Sequence, residues 1–318
     1  MAYQFVELGL DNYIATLSLA RTESLNALNS TFAKEITDMV RELNRREDVR
    51  VIILKSNAKI FCSGLDLKDF LSSGLFVGGV KNAFFFKERF QSIFDCCNVL
   101  ENSRKPVIAA VHGQCIGGGL DMICACDIRL CTEDASFSLR EAAIGFVADA
   151  GVLQRLPHII GQGFTREMAY TARFYSASEV ARMGLVNSVY PNQEALLAGA
   201  NKLAAQIAVN APLAIMATKE VLNYSRTSSI EEGMDMAIQK NAIFLTSKDL
   251  KEAVSAFQKS VSINPHYGEA HYNLGLIFYR SGKIDEAVKH LKLSLETESV
   301  RDKARSLLNT ILKELGKS

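Results

Sequence analysis

Three acidic residues, Asp121, Glu141 and Asp149, stand in stretches that are otherwise apolar, and three glycines, Gly117, Gly118 and Gly119, precede the first of them. Acids rarely stay buried without a partner, so one reading pairs them with Arg129, Arg140 or Arg155. The other reading is chemical. Glycines let backbone N–H groups approach a ligand closely, and a helix start adds a positive partial charge. Such donors stabilise a developing oxyanion, while carboxyls with raised pKa move protons on either side of it. The Gly-Gly-Gly run departs from the GxGxxG pattern of a dinucleotide loop, and no NAD-type spacing follows it.

The elements that must position these residues alternate between strand and helix. Phe5 to Leu8 and Tyr13 to Leu19 flank Gly9-Leu-Asp-Asn12 and predict a hairpin. Asn29 caps a helix whose Phe32, Ile36, Met39, Val40 and Leu43 share one face. Val49 to Leu54 and Val107 to Val111 are short, nearly all-apolar runs, the pattern of strands covered on both faces. Between them lie the loop Phe61-Cys-Ser-Gly-Leu-Asp-Leu67 and a helix with Phe84, Phe85, Phe86, Phe90, Ile93, Phe94, Cys97 and Leu100, read as core and loop packing. Repeated strand-strand-helix units argue an α/β fold. From Gly163 to about Leu245 the pattern is mostly helical.

Of 318 residues, 48% are hydrophobic and 22% charged, which fits a folded globular chain. Thirty-six basic residues balance thirty-five acidic ones, so the footprint of a nucleic-acid or membrane-surface binder is missing. No apolar run reaches the roughly 18 residues of a membrane span. The first residues carry no leader pattern and the last three are not Ser-Lys-Leu, so the expected location is the cytoplasm. Seven cysteines, mostly inside apolar stretches, read as reduced core residues. Neither Cys96-Cys97 nor Cys124-Ala-Cys126 has zinc-site spacing, so no metal is expected.

The last seventy residues change character. Asp249 to Val261 matches Lys283 to Leu295 at an offset of 34, with Glu252/Glu286, Ala253/Ala287, Val254/Val288 and Ser260/Ser294 superposed. With Asn264-Pro265 and Ala270 to Gly282 between them, this internal repeat resembles the tetratricopeptide (TPR) helix-turn-helix unit. Ala253, Gly275 and Ala287 let helices approach closely, Pro265 ends a helix and Gly282 allows a tight turn. The expected division is 1–248 for the α/β part and 249–318 for the helical repeat. Barely two units are present where about three usually bury a core, so the repeat is expected to lean on the first domain or on another chain.

Phe61-Cys-Ser-Gly-Leu-Asp-Leu67, Pro106-Val-Ile-Ala-Ala-Val-His-Gly113, Gly117-Gly-Gly-Leu-Asp121, Ala125-Cys-Asp-Ile-Arg129, Leu153-Gln-Arg-Leu-Pro157 and Gly184-Leu-Val186 resemble the enoyl-CoA hydratase/isomerase (crotonase) superfamily over roughly residues 3 to 258. The resemblance implies a spiral of strand-strand-helix turns, a homotrimer or dimer of trimers, and an acyl-CoA thioester substrate. It implies no separate cofactor, since coenzyme A belongs to the substrate. The family's oxyanion hole maps onto the amides of Leu65 and Gly118, and its CoA loop onto Ser63, Gly64, Leu65, Asp66 and Leu67, with Ser63 where alanine is usual. Asp121 and Glu141 occupy the positions of the two glutamates of a hydratase, the first one methylene shorter. Asp149 stands where a hydratase usually has glycine, which resembles the Δ3,5-Δ2,4-dienoyl-CoA isomerase branch of fatty-acid oxidation. In that branch Glu141 would face C2, Asp149 would face C6, and Asp121 would tune them or orient water. Enoyl-CoA hydratase is the enzymatic alternative. A scaffold that binds acyl-CoA and recruits a protein through the repeat is the non-enzymatic one. Lys219 and Arg226 are candidates for CoA phosphates. His112 reads as a satisfied core histidine, and His266, His271 and His290 as packing or surface residues of the repeat.

Overall fold

A computed structural model describes residues 3–72, 80–244 and 248–316, without the side chains of 80–89, 248–250, 252 and 253. Phe84, Phe85 and Phe86 of the aromatic helix, and Leu250, Glu252 and Ala253 of the repeat, thus have side chains outside the described residues. The strands are β1 (Val6–Asp11), β2 (Ile14–Leu19), β3 (Val51–Ser56), β4 (Val107–Val111), β5 (Gln114–Ile116), β6 (Ile128–Thr132), β7 (Ser136–Ser138), β8 (Tyr175–Ser176) and β9 (Ser188–Tyr190). The helices are α1 (Ser30–Arg45), α2 (Leu67–Ser72), α3 (Val80–Glu101), α4 (Gly118–Cys124), α5 (Val152–Thr171), α6 (Ala177–Met183), α7 (Gln193–Ala208), α8 (Pro212–Tyr224), α9 (Ile230–Phe244), α10 (Lys248–Ile263), α11 (Gly268–Arg280), α12 (Ile284–Ser294) and α13 (Glu298–Glu314). They form two compact units, Met1–Arg226 and Thr227–Ser318.

The first unit holds a six-stranded sheet in the order β1-β2-β3-β4-β6-β9, parallel from β2 onward, and a smaller sheet β5-β7-β8. The hairpin forms one step later than expected. Asn12 (φ 47°) and Tyr13 (φ 66°) make its two-residue turn, both in the left-handed region such a tight connection needs, and Gly9 lies inside β1 opposite Thr16. The two apolar strands are covered on both faces as their sequences require. Ile52 and Leu54 of β3, with Val107, Ala109 and Val111 of β4, join one core with Phe32, Ile36 and Leu43 of α1. Val51, Ile53, Ile108 and Ala110 join a second core against Leu196, Ala200, Ala204 and Ala208 of α7. Period-two alternation sorts neighbouring residues into two cores, which is what pins a parallel strand in register. The Asn29 side chain caps α1, accepting from Phe32 N at 2.9 Å. Seven free cysteines are all buried.

In the second unit, α10 to α13 form two helical hairpins around Leu274, Phe278, Ala287, Leu291, Ala304, Leu308 and Ile311. Gly275 lets α11 meet α12 because a methyl group there would lie 2.6 Å from Leu291 Cγ, and Gly282 (φ 75°) turns the chain between them. His271 is buried, with Nε2 3.0 Å from the Pro265 carbonyl and Nδ1 2.8 Å from His290 Nδ1. A carbonyl only accepts, so His271 carries its proton on Nε2 and accepts at Nδ1 from His290. Burial, then His271 and Lys289, hold His290 below its ordinary value. The unfolded chain thus binds the proton better than the folded one, and stability present above the ordinary histidine pKa is lost as pH falls toward the depressed value. In circular-dichroism melts of the full chain, the transition of the C-terminal helices should move down between about pH 7.5 and about pH 5.5, and His290→Leu should flatten that dependence.

Candidate active site

The site is built where the loop after β3 meets the turn into α4. Backbone bonds fasten the loop on both sides. Cys62 N donates to Gln114 O at 3.1 Å and Ile116 N to Cys62 O at 3.0 Å, while Leu28 N donates to Gly64 O at 2.7 Å and Asp66 N to Leu28 O at 2.8 Å. Gly64 has φ 96°, and a methyl group on it would lie 3.2 Å from the Ile116 carbonyl oxygen and 3.9 Å from Gly118 N. That closeness brings the Leu65 and Gly118 amides to the edge of the same cavity. Neither N–H has an acceptor among the described residues. Gly117 (φ 48°) opens α4, and a methyl group there would meet Glu141 Oε1 at 2.9 Å. The glycine run therefore opens α4 and leaves room for an acid.

All three acids reach this place. Asp121, in the first turn of α4, is only 2% exposed, and its Oδ1 accepts from Val152 N at 2.7 Å, the first residue of α5. Burial, then the Glu141 and Asp149 carboxyls, push its pKa up to about 8. Glu141 starts a short 3-10 turn after β7, and its buried Oε2 has no hydrogen-bond partner. Burial, then Asp149, raise its pKa. Asp149 is open to the cavity, yet the protein packed around it still raises its carboxyl. Carboxyls without a counter-ion in a low-dielectric place lose part of their acidity, which is the tuning that proton transfer needs.

The arginines that might have neutralised them are committed elsewhere. Arg129 donates to the carbonyls of Leu185, Ile123 and Cys126, and Arg140 to the Ala172 carbonyl, with its guanidinium over Phe174. Arg155 pairs with Glu101 at 2.7 Å. The ion-pair reading of the acids is thereby ruled out.

The acids and the two amides line one cavity of about 250 Å³, walled by Leu28, Phe70, Phe90, Ile93, Ile144 and Phe146. Ser63, Gly64 and Leu67 line it as well, whereas Asp66 lies off the wall, paired with Arg21 at 2.7 Å and accepting from Lys68 N and Asp69 N. Phe70, Phe90 and Phe146 pack ring to ring, with Phe70 4.9 Å from Phe90 and 5.8 Å from Phe146. Sequence reasoning placed Phe90 in packing and passed over Phe70 and Phe146; only their arrival from three different elements marks them as a wall. The candidates for CoA phosphates are corrected by the structure. Lys219 is 6% exposed and spends its ammonium on Asp127 and on the carbonyls of Leu100 and Lys105, and Arg226 pairs with Glu101 at 2.6 Å. Buried cations find internal acceptors because nothing else repays their lost hydration. His112 is held by the Ala58 carbonyl at 2.9 Å, a satisfied core histidine. Among the described residues no cluster of three or more His, Cys, Asp or Glu is arranged to hold a metal.

Residues 9–268 match the enoyl-CoA hydratase/isomerase family, and residues 244–311 match a tetratricopeptide repeat. The chain is 41% identical over 259 residues to the peroxisomal Delta(3,5)-Delta(2,4)-dienoyl-CoA isomerase of Arabidopsis thaliana, covering 80% of this chain and 92% of that protein. It is 39% identical over 263 residues to the mitochondrial Delta(3,5)-Delta(2,4)-dienoyl-CoA isomerase of Dictyostelium discoideum, covering 80% and 88%. The crystal structure of enoyl-CoA hydratase from Bacillus anthracis superposes with a TM-score of 0.74 at 30% identity, covering 81% of this chain and 97% of that one. These relatives overturn the cytoplasmic expectation, since both isomerases carry an organelle in their names. That expectation rested on missing address signals, and a missing signal says nothing physical about compartment. Fold, motifs and relatives agree: the chain belongs to the enoyl-CoA hydratase/isomerase family and carries a tetratricopeptide repeat at its C-terminal end.

Proposed function

We propose that the protein is a Δ3,5-Δ2,4-dienoyl-CoA isomerase. The observation that carries this reading is the third carboxyl: Asp149 lines the same cavity as Glu141 and Asp121, with no cation paired to any of them. The thioester oxygen accepts from the Leu65 and Gly118 amides, and Ser63, Gly64 and Leu67 cradle the ligand beside them. Ionised Glu141 takes a proton from C2, and the electron pair spreads into a dienolate whose oxygen stays in the hole. Protonated Asp149 then delivers its proton to C6, which leaves double bonds at C2 and C4. One proton leaves carbon and one arrives, so no co-reactant is needed, and a proton passing from Glu141 to Asp149 resets the pair. Asp121, pushed up to about 8, stays largely neutral and spares the site a second negative charge beside Glu141.

The hydratase alternative uses the same hole with Asp121 and Glu141 and has no need of Asp149. Division at residue 248, assembly as a trimer or dimer of trimers, and a protein partner for the repeat belong to the same proposal; the acids and the paired amides favour catalysis over a bare scaffold. The tests are chemical. Asp149→Asn keeps the shape and removes the proton carrier, so isomerisation of a 3,5-dienoyl-CoA, followed by absorbance of the product, should fall by ~10²–10⁴ while acyl-CoA still binds. Rapid 2-enoyl-CoA hydration that ignores this substitution would instead assign the hydratase. At Gly118 a methyl group would already come within 2.7 Å of Leu28 Cδ1, so Gly118→Val should displace the amide and lower turnover by ~10²–10³. Turnover close to that of the parent would put the thioester oxygen elsewhere.

A further inference from the structure

We infer that Arg155, held by Glu101 and bonded to the Ala150 carbonyl, is a positioning residue that fixes the corner 149–152 against the cavity. This rests on the reaction proposed above and adds a residue that touches no substrate. Four consecutive residues of that corner do two tasks: Asp149 faces the cavity, and Val152 N holds Asp121 at 2.7 Å. Moving the corner therefore displaces one acid and releases another.

What holds it is a buried guanidinium. Arg155 is 7% exposed and donates from Nη1 to Ala150 O at 3.1 Å, and from Nη2 to Asn98 Oδ1 and Glu101 Oε2, both at 2.7 Å. Glu101 is itself held by Arg226, just past α8, at 2.6 Å and by Asn223 Nδ2 of α8, which donates to its carbonyl at 3.0 Å. Burial works against the Glu101 carboxylate, but the two guanidiniums outweigh it and keep its pKa below the ordinary range. Gly151 completes the seat. Its φ is 107°, and a methyl group on it would fall 1.9 Å from Arg155 Nη1, so the guanidinium lies on bare backbone.

Helix α5 has anchors of its own, because Val152, Leu156, Ile160 and Met168 are buried in the main core. Loss of Arg155 should thus loosen the corner and leave the helix docked. Asp149 has Glu141, Asp121 and Arg140 around the cavity it lines, and Arg155 behind it. A corner that relaxes outward carries Asp149 away from the protein packed around it and lets its carboxyl return toward the ordinary range. The alkaline limb of the rate profile, where the proton donor is lost, then moves to lower pH.

The test uses the full chain with Arg155→Met and Arg155→Lys, a 3,5-dienoyl-CoA substrate, and hydrogen exchange of the peptide spanning 146–153. Arg155→Met should lower kcat by about 10²-fold, the cost of a misplaced reacting group, with KM changed less than about threefold. It should also shift the alkaline limb down and speed exchange at the corner. Arg155→Lys keeps one of the acceptors and should recover part of kcat. Should Arg155→Met fail to fold, Glu101→Gln, which leaves Arg155 a neutral acceptor, should show a smaller loss with the same limb shift. A kcat loss without a limb shift, a change confined to KM, or unaltered exchange would overturn the inference. Absence of dienoyl-CoA isomerisation in the parent protein would refute the reaction instead, and exchange at the corner would still decide the clamp.

Discussion

The cost of gathering three carboxyl groups around one cavity without a counter-ion, Asp121 buried and Glu141 half-buried, governs this structure. A buried carboxylate is expensive, and a protein normally repays it with an arginine or lysine. Here the nearby guanidiniums are turned toward backbone carbonyls and toward Glu101, so burial and the neighbouring carboxyls raise the pKa of the acids instead. That is a poor solution for stability and a good one for moving protons. The Asp121 carboxyl, raised to about 8, and the unsatisfied oxygen of Glu141 are two expressions of it.

Such a site survives only on a scaffold that does not yield. The parallel strands β2, β3, β4 and β6 are each covered on both faces, and two separate cores meet across them. From this slab the loop Phe61 to Leu67 is fastened by backbone bonds to Leu25, Leu28 and β5, so its amides are placed by backbone alone. Dipoles fixed in advance cost no reorganisation when charge develops on a thioester oxygen. The aromatic wall of Phe70, Phe90 and Phe146 gives the same cavity an apolar side, from which water is readily displaced.

The C-terminal unit follows a different logic. Its helices bury a small core of their own through close approaches at Gly275 and Gly268, where added methyl groups would strike Leu291 and Thr297. Its buried His271 is satisfied on both ring nitrogens, by the Pro265 carbonyl on one side and by His290 on the other. Both units therefore contain buried titratable groups, but one uses them unpaired and the other pairs them.

Much of this was legible in the sequence because its signals are local. Period-two strands, the Asn29 cap, the repeat at 34 residues and the glycine run before Asp121 each depend on neighbours in the chain. The family resemblance implies that Leu65, Gly118, Glu141 and Asp149 meet, and in the fold all four line one cavity. What the sequence could not reach depends on residues far apart along it. The hairpin turn slid to Asn12 and Tyr13 because strand register, set by the core, overrode the pull of Gly9. Lys219 and Arg226 look like surface cations in the sequence, yet α8 packs Lys219 inward onto Asp127 and the turn after it brings Arg226 to Glu101, partners about a hundred positions away. The partner of each arginine, and hence the freedom of each acid, is decided by which carbonyls and carboxylates the fold brings within 3 Å, and no local pattern encodes that choice.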